Sequence, residues 1–173
     1  MDPVQKAKSA MGGFERFLTK IPGYAGYKQK EMRREVDKTV RENLARELES
    51  LRRKLTGVQE QLLADGGLLW MDDMERVVGR LQLLIDRVKT AAYGYAPFFD
   101  VERVKEEQLD RLLEFDQALF NQLPDLESAI DAVSEAVESQ SEIKAAIRKV
   151  GTLLADLNET FGRRMQSIHA PDA

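Results

Sequence analysis

At 173 residues with no cysteine, the chain is long enough to bury most of its unfolded surface in one domain without disulfides or metal. Hydrophobic residues at 43% and charged residues at 32% exclude wholesale disorder and a membrane-embedded protein, while the missing cysteine removes thiolate nucleophiles, zinc knuckles and iron–sulfur sites. A net charge of −4 argues against nucleic acid as a partner, because displacing counterions from phosphate needs a basic surplus.

The opening Met1-Asp2-Pro3-Val4-Gln5-Lys6-Ala7-Lys8 lacks the apolar run of a secretory signal. No window approaches the roughly 18 apolar residues of a transmembrane helix, the richest stretch being Leu68-Leu69-Trp70-Met71. The expected location is the cytoplasm, with attachment to the inner face of a membrane left open.

In chain order, a short amphipathic segment over 1–21 carries Val4, Ala7, Met11, Phe14, Leu18 and Ile21 and is interrupted by Gly12-Gly13. A long helix follows from near Tyr27 to just before Gly66-Gly67, because Val36, Val40, Leu44, Leu48, Leu51, Leu55, Val58 and Leu62 recur at spacings of four and three. Its outer face is expected to carry the pairs Asp37/Arg41, Glu42/Arg46 and Glu49/Arg53. A second helix has a wider stripe of Met71, Met74, Val77, Val78, Leu81, Leu84, Ile85 and Val88 and stops at Tyr93-Gly94-Tyr95-Ala96-Pro97. Asp100 is placed to cap a third helix through Leu109, Leu112, Leu113, Leu119, Phe120 and Leu123, which Pro124 is expected to break.

The last helix is predicted from Asp125 to Ile168 on a heptad of Leu126, Ile130, Val133, Val137, Gln140, Ile143 or Lys144, Ile147, Val150, Leu154, Leu157 and Phe161. These elements predict an all-α fold: one elongated antiparallel helical bundle over residues 1–168, with 169–173 as a flexible tail. The first and last helices, about 55 and 65 Å long, would outreach a middle pair of about 35–40 Å. One end is then a four-helix bundle, and the other is the long coiled-coil-like pair plus the N-terminal segment, with an under-covered apolar stripe.

Candidate chemistry is sparse. The single histidine, His169, leaves no Glu-x-x-His pair for a di-iron site and no nucleophile–histidine triad. Glu106, Asp110 and Glu114 repeat every fourth residue but lie off the apolar stripe, as a solvated acidic face does. Gly12-Gly13 and Gly66-Gly67 lack the Lys-Ser/Thr of a phosphate loop. No cofactor, metal ligand or catalytic residue is expected. Two polar residues, Asp116 and Gln140, fall in apolar registers; each is expected to set register through a buried contact, with a functional site as the alternative.

Charge is distributed unevenly. Residues 1–60 hold 14 Lys and Arg against 9 Asp and Glu, while 61–173 hold 12 against 21. The basic arm either lies beside the acidic helices or meets an anionic surface. Phe14, Phe17, Tyr24 and Tyr27 interleave with Lys28, Lys30, Arg33 and Arg34, a mixture suited to a bilayer interface or to capping the bundle with cations snorkelling from its rim. Tyr93, Tyr95, Phe98 and Phe99 form a second aromatic group that either closes the core or offers a binding patch.

At Ile21-Pro22-Gly23-Tyr24-Ala25-Gly26-Tyr27-Lys28-Gln29-Lys30-Glu31-Met32-Arg33-Arg34 and at Leu109-Asp110-Arg111-Leu112-Leu113-Glu114-Phe115-Asp116, the chain resembles uncharacterised bacterial helical proteins. That resemblance implies a bacterial source and an all-helical fold, and brings no activity. In outline, an amphipathic segment leading into a long helical hairpin is also similar to membrane-remodelling phage-shock proteins, without a shared motif. The expected function is a non-enzymatic interaction or scaffold module that binds a protein partner or a second copy through its thin end. The alternative is a peripheral membrane adaptor that uses the aromatic–basic segment on anionic lipid.

Overall fold

The computed structural model describes residues 18, 20, 30–91 and 106–169, with side chains over 36–91 and 111–164 and at 18, 20 and 166. Among these residues there are four α-helices and no strand: α1 (Lys30–Ala64), α2 (Met71–Thr90), α3 (Glu106–Ser139) and α4 (Ile143–His169). The chain is all-α. The segment 1–21 lies outside the described residues except for Leu18 and Lys20.

α1 forms because its apolar residues fall on one side at spacings of four and three, and all eight from Val36 to Leu62 are buried. It ends in a left-handed turn: Gly66 has φ 80, its N–H reaches the Leu63 carbonyl at 3.2 Å, and the Gly67 N–H reaches that of Leu62 at 2.8 Å. These two bonds satisfy carbonyls that the last helical turn leaves open, in the arrangement glycine permits at low cost. A single 3-10 turn, Leu68–Trp70, leads into α2. There Asp72 and Asp73 in the first turn and Arg87 and Lys89 in the last complement the helix dipole.

Pro124 does not end the third helix; it lies inside α3. Leu119, Leu123, Leu126, Ile130, Val133 and Val137 are all buried, so the apolar register passes through the proline unbroken. Burial of that stripe outweighs the roughly 3 kcal/mol that an interior proline costs. The break comes instead at Gln140–Glu142. Gln140 takes φ 52 and Glu142 φ 57. The Gln140 N–H reaches the Val137 carbonyl at 3.3 Å and the Ser141 N–H that of Ala136 at 3.1 Å, repeating the α1 turn with glutamine in the glycine position.

Helix lengths change accordingly. α1 and α3, of 35 and 34 residues, are the long pair, and α2 and α4 have 20 and 27. α1 packs on α2 and α3, and α4 packs on the same two. Arg41 meets Ala91, and Lys89 meets Glu49, so α1 and α2 run antiparallel. Val36 and Val40 lie with Leu113 and Phe120, whereas Lys54 meets Glu127 and Asp131, so α1 and α3 run parallel. α2 and α4 are likewise parallel, from Arg80 at Gly151 to Arg87 at Asn158. Two antiparallel hairpins therefore lie side by side with both turns at one end.

At the other end, where the long pair plus the N-terminal segment is expected, the described residues form three helices. α2 stops at Thr90, but the start of α3 accompanies the start of α1 and the end of α4. Leu18 is buried there against Val36 and Val40.

Candidate functional site

Where α2 stops, four charged side chains are buried together. Asp37 and Arg41 come from α1, Asp116 from α3 and Arg164 from α4. The Arg164 guanidinium donates from Nε to Asp116 Oδ1 at 2.7 Å and from Nη2 to Asp116 Oδ2 at 3.2 Å. The same Nη2 donates to Asp37 Oδ1 at 3.0 Å. Arg41 Nε donates to Asp37 Oδ2 at 3.0 Å, and Arg41 Nη1 donates to the Ala91 carbonyl just past α2. With two cations and two anions the network is formally neutral, and a planar guanidinium forking onto a carboxylate gives it directional strength.

One aromatic ring supports it. Arg164 lies over Phe161 with its guanidinium carbon 5.6 Å from the ring centroid, and Arg87 of α2 lies 5.2 Å from that centroid. Arg87 Nη1 in turn donates to the Asn158 carbonyl at 2.9 Å and to its side-chain oxygen at 3.0 Å. Every helix thus contributes to one junction.

Burial pushes the Asp116 carboxyl up to about 6, against the pull of the Arg164 guanidinium; Asp37 adds repulsion and Arg41 relieves it. A carboxyl near that value suits proton transfer in principle. Here the group is fully buried and both oxygens accept from Arg164, so the pair ties α3 to α4. Among the described residues no group of three or more His, Cys, Asp or Glu side chains is placed to hold a metal. No described helix is long and apolar enough to cross a membrane.

The residues singled out from sequence divide sharply. Phe14, Phe17, Tyr24, Tyr27, Lys28, Tyr93, Tyr95, Phe98 and Phe99 lie outside the described residues, and Lys30, Arg33 and Arg34 lie on α1 with their side chains outside them. Asp116 is buried with Arg164 as its partner. Gln140 is not a buried heptad residue: it is exposed in the turn after α3, because the helix ends one residue earlier. Its side chain bonds back to the Val137 carbonyl at 2.8 Å.

The i,i+4 pairs assigned to the outer face of α1 also need correction. Asp37/Arg41 forms, but both side chains are buried. Glu49 is paired with Lys89 of α2, and Arg46 donates to the Glu42 backbone carbonyl at 3.3 Å.

Sequence reasoning missed Arg164 altogether. Its signal was present, since position 164 continues the spacing of Leu154, Leu157 and Phe161 and so carries a charge in an apolar register. Compared with protein families, with curated proteins and with solved structures, the chain has no match.

Proposed function

We propose that the chain is a non-enzymatic helical scaffold, cytoplasmic in location, that binds protein through the end of the bundle where its hairpin turns lie. The carrying observation is the group Leu63, Leu68 and Leu69, exposed by 51%, 70% and 78% within seven residues of chain. Helix turns are ordinarily polar, and covering a leucine stabilises by about 1.5–3 kcal/mol. Two such residues on a 3-10 turn favour a protein contact over open solvent.

The buried junction suits this role. It ties all four helices at the opposite end, so the leucine turn is carried on a rigid frame. A second copy is the first occupant to test, because one patch can meet itself about a twofold axis with no other complementary surface. The membrane reading gains no support from Leu18, whose side chain packs on α1 rather than facing outward.

Light scattering after gel filtration at micromolar concentration tests the reading. Wild type is expected as a dimer and Leu68→Ser/Leu69→Ser as a monomer with unchanged helicity. A monomeric wild type overturns self-association and moves the proposal to a foreign protein, for which the same double substitution must abolish capture.

A further inference from the structure

On the side of the bundle, α2 and α4 flank a groove of about 400 Å³. Four cationic side chains line it: Arg76 and Arg80 from α2, Lys144 and Arg148 from α4, with Asp73 as the one carboxylate. Each helix places its pair four residues apart, so two like-charged rows face each other across the groove. Such rows are mildly destabilising in a helix. The same spacing joins opposite charges at Lys38–Glu42 and Glu159–Arg163, and it joins like charges at Glu127, Asp131 and Glu135 of α3, where the row is acidic.

The chain holds more carboxylates than cations, yet only Asp73 lines this groove, against four cations. Asp73 engages Arg76 at 3.1 Å, and Arg80 Nη1 donates to the Gly151 carbonyl at 3.3 Å, which ties that side chain across the groove. Lys144 and Arg148 are exposed and make no ion pair among the described residues.

We propose that this groove binds a small soluble polyphosphate. Arginine forks match phosphate oxygens in pairs and lysine supplies a point charge, so a ligand carrying several linked phosphates satisfies both rows at once. The four cations span one turn of each helix, about 6 Å along the axis. That extent fits a short chain of phosphates and is too brief to follow a nucleic-acid backbone, whose binding needs many phosphate contacts. The volume is in the range of small-molecule sites.

Lys144 and Arg148 also border an adjoining cavity of about 310 Å³ that includes Trp70, the only tryptophan in the chain. Occupancy of the groove is therefore expected to alter intrinsic fluorescence. This site lies apart from the leucine turn and stands or falls independently of the scaffold reading.

The test titrates inorganic triphosphate into the full chain at low salt, followed by Trp70 fluorescence and calorimetry. One site of micromolar affinity is expected, weakening as salt rises. Lys144→Gln/Arg148→Gln should weaken it by about tenfold or more. Arg46→Gln/Arg53→Gln, which changes net charge equally on α1, should leave it within about twofold. The proposal is overturned by absence of saturable binding, by equal losses in both variants, or by unchanged affinity in the groove variant. Flotation with phosphatidylinositol-bisphosphate vesicles without triphosphate binding would overturn the soluble-ligand assignment.

Discussion

Arg164 and Asp116, on adjacent helices and both wholly withdrawn from solvent, are joined by two hydrogen bonds of 2.7 and 3.2 Å. Removing one partner strands a charge in a poorly solvated interior. Arg164→Leu is therefore expected to lower stability by about 3–5 kcal/mol at neutral pH, as is typical when a buried pair loses one member. Arg164→Leu/Asp116→Leu should cost less than either single change, since Asp37 and Arg41 still neutralise each other. Urea unfolding of the four proteins measures the coupling, and additive single effects would refute it.

The acid response has a defined sign. Burial raises the Asp116 carboxyl to about 6, so between its unfolded value and that point the folded chain holds a proton that the unfolded chain has released. Its contribution to stability is largest at the acid end of this window and is lost as pH rises through about 6. Relative to Asp116→Asn, wild type should gain on the order of 3 kcal/mol between about pH 6 and pH ~4, at about 1.4 kcal/mol per pH unit. Unfolding curves across that range report the difference, in which carboxylates remote from the junction cancel; a flat difference would count against the assignment.

The two turns should answer oppositely to small substitutions. Gln140 occupies a left-handed position that costs a side-chain-bearing residue about 1–2 kcal/mol, and its own hydrogen bond to Val137 offsets part of this. Gln140→Gly should therefore raise stability by roughly 0.5–1 kcal/mol. Gly67→Ala should lower it by about 1–3 kcal/mol, because a methyl there would meet the Leu62 side chain and its carbonyl oxygen at 2.8 Å. Thermal unfolding separates the two signs.

Pro124 is exposed inside α3, so replacing it removes little packing. Pro124→Ala restores a helical N–H and relieves a cost of about 3 kcal/mol, against roughly 0.4–1 kcal/mol from a freer unfolded chain. A net gain of about 2 kcal/mol in urea unfolding is expected. A loss would mean that the proline shapes α3 in a way the packing needs.

Gly66-Gly67 marked where α1 ends, and periodicity determined the all-helical class and nearly every core position on α1 and α2, because a buried stripe must recur with the helical turn. It marked Asp116 as a charge in an apolar register for the same reason. The choice between Ile143 and Lys144 in the last heptad was the trace of a break at Gln140, but no glycine flagged it, and Pro124 supplied a stronger local stop signal. Only tertiary packing decided between them, since the stripe from Leu119 to Val137 gains more by staying continuous than the proline costs. The partner of Asp116 was likewise beyond one-dimensional reading: Arg164 lies 48 residues away and is brought to it by the antiparallel α3–α4 hairpin, while the parallel packing of α1 on α3 brings Asp37 and Arg41 to the same point. Local sequence sets which residues must leave water, whereas which charges meet there depends on how the helices are stacked.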